Sequence, residues 1–257
     1  MVRNRARFSF NETSTHCVED WQIRAAIFDS TREKHDEFLQ LEDVPCPESE
    51  PTRLLLRVLA CGVCRTDLHI VEGDLAPMHA RMIPGHQIVG RVVSGATHEL
   101  PVGTRVGVSW MGGIDGDCWC CRHGMENLCD RPVFTGYRVN GGFAEYVLVH
   151  ADFVVRIPDS LDDTHVAPLL CAGIIGFRSL RMAGVLPKER VGLLGFGSSA
   201  SLAIAILQSW NCEVYMATRG ESHRQLQHRS ALPGSDVRTI GLQFCWTGRS
   251  PLLPAGK

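Results

Sequence analysis

The chain has 257 residues, of which 44% are hydrophobic and 21% charged, with a formal net charge of −2. That length can bury a substantial core as one large or two ordinary domains, and the composition excludes wholesale disorder. The balanced charge advertises neither a nucleic acid nor an acidic membrane partner, and no apolar run approaches the roughly 18 residues of a membrane span.

Residues 1–22 are polar and patternless and read as a disordered extension without the apolar stretch of a secretory signal. Arg3, Arg5 and Arg7 hint at a targeting arm, but Glu12, Glu19 and Asp20 dilute it, so a soluble, cytoplasmic protein is expected. Strands are predicted over residues 23–28, 53–61, 87–94, 104–110, 144–149 and 153–157, with residues 44–51 as a Pro-rich loop. Pro84-Gly85, Gly112-Gly113 and Gly141-Gly142 read as turns between them, which makes residues 23–157 a compact all-β unit. Past Pro158 the pattern switches to a helical stretch over 162–180, a strand over 190–194, a helix over 198–210 and a strand over 213–217. The last three form a βαβ unit, so residues 158–227 are α/β. Residues 228–257, broken by Pro and Gly, form a tail without periodicity, and no internal repeat is present.

Eleven cysteines are about 4% of the chain, below the roughly 8–10% of a disulfide scaffold. Their odd count and the missing signal argue for reduced thiols and metal ligation. Cys118, Cys120, Cys121 and Cys129 lie within one short Gly-containing window, a strong metal signal against the blander reading of unrelated buried thiols. A second cysteine-bearing run, from Cys61 to His69, is followed at a distance by Gly85-His86 and by Leu169-Leu170-Cys171. Spacing alone says little there, because a single His or Cys in a β-rich domain is usually structural. Between the strand at 190–194 and the helix at 198–210 stands Gly195-Phe-Gly197-Ser-Ser-Ala200. In that context Gly195 permits a tight turn, Gly197 lets a pyrophosphate approach the backbone, and Ala200 occupies the helix-packing position. The next strand ends Ala217-Thr218-Arg219, where an NAD site would place a carboxylate. A small hydroxyl followed by Arg suits a 2′-phosphate, which favours NADP over NAD; the plainer alternative is a solvated helix start.

Cys64-Arg-Thr-Asp-Leu-His69, Pro84-Gly85-His86, Pro168-Leu-Leu-Cys-Ala-Gly173, the Cys-rich window and the Gly-rich turn together resemble the zinc-dependent alcohol dehydrogenases of the medium-chain dehydrogenase/reductase family. The resemblance runs in continuous order from about residue 24 to 226. It implies an α/β plus all-β architecture: a GroES-like, partly open β-barrel catalytic domain followed by an incomplete Rossmann, doubly wound nucleotide-binding domain. It further implies a catalytic Zn2+ on Cys64, His86 and Cys171, with a fourth tetrahedral position open. Asp67 would hydrogen-bond the ligand imidazole, and Thr66 and His69 would occupy the proton-relay positions. Gln87 stands where the family commonly has Glu, leaving the ligands intact but removing a carboxylate that could assist ligand exchange. In the lobe at about 112–130, a structural Zn2+ would be held by Asp115, Cys118, Cys121 and Cys129, with Asp115 in the place of the family's first cysteine. Cys120 is an extra thiol that could substitute or compete. Trp110 resembles a position that lines the substrate pocket, and a core role for it is equally open.

The activity so implied is hydride transfer between NAD(P) and a primary alcohol or aldehyde, with a small-molecule partner and a homo-oligomer as the family's habit. Only one βαβ unit of a fold that usually has six strands is recognisable, so the chain reads as truncated or frame-shifted, and its N-terminal extension as a misplaced start. A catalytically inactive zinc-binding fragment is therefore the alternative, and its unpaired sheet edge would expose apolar surface. A zinc-ribbon-like nucleic-acid module is opposed by the net charge and the acidic lobe, and a zinc-free quinone reductase by the presence of all three ligands.

Overall fold

The structure, a computed structural model, describes residues 21–31, 39–48, 50, 52–95, 97–217 and 237–239. The chain divides into two compact units, Met1–Ala172 and Gly173–Lys257. No described helix is long and apolar enough to cross a membrane.

In the first unit, β1 (Gln22–Asp29), β2 (Leu39–Pro45) and β3 (Arg53–Gly62) lead into α1 (Arg65–Glu72) and the short β4 (Arg81–Met82). β5 (Gln87–Ser94), β6 (Arg105–Val108) and β7 (Met111–Gly113) follow, then α2 (Trp119–Arg122) and β8 (Val133–Phe134). β9 (Tyr146–His150), β10 (Val154–Arg156) and α3 (Asp163–Val166) complete it. An antiparallel five-stranded sheet runs in the order β10-β6-β5-β3-β9, a three-stranded one in the order β2-β1-β4, and β7 pairs with β8. Alternation on the five-stranded sheet buries Leu54, Leu56, Ile88, Val92, Val106, Val108, Val147 and Val149 in one cluster. Each such side chain contributes roughly 1.5–3 kcal/mol of transfer free energy.

The residues expected to be a loop over 44–51 begin instead inside β2, whose register with β1 runs from Gln22↔Pro45 to Phe28↔Leu39. In β2 the half-buried face carries Gln40 and Glu42 while Leu41 stands on the exposed one, so the sequence Leu-Gln-Leu-Glu-Asp-Val-Pro lacks the apolar face that betrays a strand. The helix expected over 162–180 is also corrected. α3 stops at Val166, a 3-10 turn covers Ala167–Leu170, and the break falls on Cys171, at φ −134° and ψ −72°. Pro168 accounts for the interruption, since it cannot donate the hydrogen bond a continuous helix needs.

The second unit contains α4 (Ala172–Met182), β11 (Arg190–Leu194), α5 (Ser198–Ser209), β12 (Glu213–Ala217) and β13 (Val237–Thr239). β11, β12 and β13 pair in parallel in that order. β13 departs from the expectation of a tail without structure, continuing the register from Val214↔Val237 to Met216↔Thr239. Leu180, Phe196, Ala203, Ile204, Leu207, Val214 and Met216 form this unit's core. Among the described residues no strand covers the other edge of β11, where Leu194 is 83% exposed. The two units together form the GroES-like and partial doubly wound architecture that the motifs implied.

Candidate metal centre

Three segments distant in sequence meet in the first unit. Cys64 sits at the N-terminus of α1, where the Asp67 backbone N–H donates to the Cys64 carbonyl at 3.1 Å. The Asp67 carboxylate reaches back to accept the Cys64 backbone N–H at 2.8 Å. Its other oxygen accepts from the Gly85 backbone N–H and pairs with His86 Nδ1, both at 3.2 Å. One buried carboxylate therefore ties the Cys64 segment to the His86 turn.

That turn is fixed by backbone on its far side. Gly141, Gly142 and Phe143 donate to the carbonyls of Ile83, Gly85 and Pro84 at 2.7, 2.8 and 3.0 Å. Gly85 has φ +96°, and a Cβ there would come within 2.6 Å of the Phe143 ring, so glycine is required twice over. His86 is 1% exposed, and its Nε2 has no hydrogen-bond partner. A buried imidazole nitrogen left over while its partner nitrogen is held by a carboxylate is the arrangement of a metal-ligating histidine.

Cys171 supplies the third donor. Its Sγ lies 4.0 Å from that of Cys64, and the ligand atoms of Cys64, His86 and Cys171 all lie within 4.8 Å of one another. A hydrogen bond with the Cys171 thiol, with the His86 ring close beside it, holds Cys64 as a thiolate, pulling its pKa down to about 3. The same bond to Cys64, with burial, pushes Cys171 the other way. Burial opposes charge on His86, but its bond to Asp67 and the Cys64 sulfur close by prevail and, with no metal bound, lift its pKa to about 9. Two sulfurs and an imidazole nitrogen, converging without a further donor among the described residues, match the Cys2His set that zinc accepts.

Around this trio, the Thr66 hydroxyl lies 3.8 Å from Cys64 Sγ. His69 points to Asp74, Nδ1 to Oδ2 at 2.9 Å, and both are partly exposed. Among the described residues no hydrogen bond joins Thr66 to His69. Trp110 packs its ring edge-on to His86 at 4.9 Å and stacks on Phe134 and Tyr137 at 4.8 and 5.9 Å. Gln87 is buried at the start of β5, its side chain lying against Gly62.

A second donor group forms in the lobe, where Asp115, Cys118, Cys121 and Cys129 bring their ligand atoms within 4.8 Å of one another. Backbone N–H groups point at the sulfurs: Cys121 to Cys118 Sγ, and both Asp115 and Arg131 to Cys129 Sγ, each at 3.4 Å. Asp115 Oδ1 accepts the N–H groups of Cys118 and Asp117 at 2.9 and 3.0 Å, which with the neighbouring thiols holds its carboxyl well below the usual range. Hydrogen bonds from the Asp130 and Cys121 backbone lower the Cys118 thiol, while burial above all pushes Cys121 up to about 12. Cys120 stands outside the four. Two parts of these surroundings escape motif reading: Asp74, which follows His69 by five positions outside any motif, and the aromatic stack behind Trp110, which only folding assembles. Arg131, which pairs with Asp115 and Asp117 at 3.3 and 2.8 Å, follows Cys129 by two positions and is visible as a counter-charge.

In the second unit Gly195 has φ +93°, and its N–H donates to the Ala217 carbonyl at 2.8 Å. Gly197 caps α5 in extended conformation with open space where a Cβ would stand, and Ala200 packs on the core of β11 and β12. That turn and helix start can accept a pyrophosphate. Thr218 and Arg219 lie outside the described residues.

Residues 50–159 match the family described as the alcohol dehydrogenase GroES-like domain. A probable alcohol dehydrogenase of Mycobacterium tuberculosis is 44% identical over 187 residues, covering 70% of this chain and 54% of that protein. The chain thus spans about half the length of this curated relative. Among solved structures, CAD from Helicobacter pylori complexed with NADP(H) aligns with TM-score 0.73 at 25% identity, covering 85% of this chain and 64% of that one. A cobalt- and zinc-bound thermostable alcohol dehydrogenase from Pyrobaculum aerophilum aligns equally well, at 25% identity over 85% of this chain and 66% of that one.

Proposed function

We propose that the chain is one of the zinc-dependent alcohol dehydrogenases of the medium-chain dehydrogenase/reductase family and that it interconverts a primary alcohol and its aldehyde with NAD(P), a reading supported by the match of residues 50–159 and by the curated relatives. The observation that carries this reading is the unpartnered, buried Nε2 of His86 facing the sulfurs of Cys64 and Cys171. Cys64, His86 and Cys171 would hold the catalytic zinc. When bound, that ion supplies Lewis acidity toward a substrate oxygen, and the nicotinamide supplies or takes the hydride.

The chain's own side chains do the rest. Asp67 would hold the Nδ1 proton of His86, so that a bound ion displaces only the Nε2 proton and takes that nitrogen's lone pair. Its hold on the Cys64 and Gly85 amides fixes two ligand segments against each other. Thr66, beside Cys64, would exchange the proton of a substrate hydroxyl. His69, held by Asp74, would pass that proton to solvent. Trp110, backed by Phe134 and Tyr137, would present a flat wall to the substrate and exclude water. Gly195, Gly197 and Ala200 would seat the cofactor's pyrophosphate. Thr218-Arg219 supports NADP as the dinucleotide, because a guanidinium there would clamp a 2′-phosphate. Asp115, Cys118, Cys121 and Cys129 would hold a structural zinc that staples the lobe.

The test is aldehyde-dependent oxidation of NADPH and of NADH by the monodisperse, zinc-loaded chain, across substrates from acetaldehyde to cinnamaldehyde, with Cys64→Ser as blank. Turnover abolished in the variant supports the enzyme and identifies the cofactor. Absent turnover from a folded, zinc-containing preparation supports the alternative, a zinc-binding part of such an enzyme inactive by itself. The chain's span of about half its curated relative favours keeping that alternative in the test.

A further inference from the structure

Cys171 is the only member of the trio whose segment Asp67 does not touch. Something else must hold it at 4.0 Å from Cys64. Immediately before it, the chain from Pro158 to Leu170 makes a turn, the four-residue α3 and a 3-10 turn, none long enough to be stable alone. Arg105, the first residue of β6, lies under this segment with its side chain 5% exposed. Its Nε and Nη2 both meet Asp163 Oδ1, at 2.7 and 2.6 Å. Nη1 donates to the Pro158 carbonyl at 2.6 Å and Nη2 to that of Leu161 at 2.5 Å. A single buried guanidinium thus fastens three points of the path leading to Cys171.

The other end of that path is seated by shape. Leu170, the residue before Cys171, packs over Gly107 two positions along β6, where a Cβ would come within 2.6 Å of it. Leu170, Val166 and Ala167 share a buried cluster with Val89 of β5, the strand that His86 leads into. β5 and β6 are paired neighbours in register Ile88↔Val108 to Arg91↔Arg105. One two-stranded ladder therefore carries the His86 donor at one end and, through Arg105 and Gly107, the support of the Cys171 donor.

We propose that Arg105 is a positioning residue for the metal centre, holding the Asp163-to-Leu170 segment so that Cys171 stands as the third ligand opposite Cys64 and His86. The proposal rests on the zinc reading of that trio. Lysine cannot replace the residue fully, because a point charge lacks the fork that reaches one carboxylate and two carbonyls at once.

The experiment measures iodoacetamide alkylation of each cysteine by peptide mass spectrometry in the zinc-loaded full chain. Its variants are Arg105→Met, Arg105→Lys and the milder Asp163→Asn, which leaves the two carbonyl bonds in place should Arg105→Met not fold. Cys171 is expected to react about tenfold or more faster in Arg105→Met and Asp163→Asn, with Arg105→Lys between them and wild type. Cys64 should change far less, and Cys118, Cys121 and Cys129 not at all. A merely structural role would raise all these cysteines together, and that result overturns the proposal. So does unchanged protection of Cys171 in a folded Asp163→Asn. If zinc protects neither Cys64 nor Cys171 in the wild type, the zinc reading itself fails, and this result is distinct from both.

Discussion

The lobe cluster gathers four donors whose farthest pair, Asp115 and Cys129, is 14 positions apart, whereas Cys64 and Cys171 of the trio are separated by 107. In the lobe the same short backbone that carries the donors also points its N–H groups at them. The trio has no such economy. Its donors are placed by a buried carboxylate, a glycine turn locked by backbone, and a segment clamped to β6. A local cluster trades metal energy directly for folding energy, while a dispersed one is assembled by a fold that already stands. The lobe should therefore depend on its metal, and the trio's metal should depend on the fold.

The sharpest way to break that contrast is to remove one donor from each. Cys129→Ser should empty the lobe and make residues 115–130 the first site of proteolysis, with the trio still loaded. His86→Ala should instead empty the trio, abolish any turnover and leave the chain folded, because the core around β3, β5 and β6 does not include a metal. Zinc content per chain by mass spectrometry, with limited proteolysis alongside, checks both. Loss of both metals from either variant would mean the two sites are coupled.

A smaller effect is expected at Asp67. Asp67→Asn keeps the size but weakens the hold on the His86 ring and on both amides, so trio affinity should fall about 10–100-fold in chelator competition. In the lobe the matching change is Asp115→Cys, which completes four thiolates and should tighten the site. It also removes one of the two anchors of Arg131, whose guanidinium is exposed and keeps its pairing with Asp117, so that loss adds little. Affinities moving in opposite directions would sharpen the contrast between a carboxylate that positions and one that ligates.

The glycine turn gives an effect of about 1–2 kcal/mol. Gly195 stands at φ +93°, where a side chain is strained whatever the free space, so Gly195→Ala should cost that much in the stability of the second unit. Thermal unfolding followed by Trp210 fluorescence reads it. Gly197→Ala is extended backbone with open space and should leave stability unchanged, while impairing dinucleotide binding if the pyrophosphate approaches there.

Where the chain's pattern is strong, its elements are legible from residues alone. The strands over 87–94, 190–194 and 213–217 coincide with β5, β11 and β12, because their apolar runs are bounded by Gly, Pro or polar residues. β2 was not legible, since polarity does not follow burial along it, Glu42 being half-buried and Leu41 exposed, and β13 was lost in a stretch broken by Pro and Gly. The site divides the same way. The lobe donors declare themselves by spacing, and the Gly-rich turn by its place between strand and helix. The trio was legible only through its resemblance to a family, as nothing local links position 64 to 86 or 171. The helix expected through Cys171 failed at the one residue whose donor must turn away from a helix axis. Arg105 was invisible for a related reason: its carboxylate partner is 58 positions away.

The smallest expected effect separates two thiols three positions apart. Cys64 is held as a thiolate by its neighbours, whereas Cys61, on β3, tucks its sulfur against the backbone of Gly85 and Gly142. Burial, and then the charge of Asp67, push Cys61 up to about 12. At neutral pH the folded and unfolded chains both hold that proton, so Cys61→Ala should leave the pH dependence of stability unaltered there. Above the ordinary thiol value of 9.0 the unfolded chain releases the proton and the folded chain keeps it. The unfolded state then binds fewer protons, so the contribution of Cys61 to stability falls as pH rises from there towards 12. Denaturant midpoints measured across that window should decline more steeply in wild type than in Cys61→Ala. Equal slopes would place the Cys61 sulfur in contact with water, and the His86 turn would then be less tightly closed than its glycine packing implies.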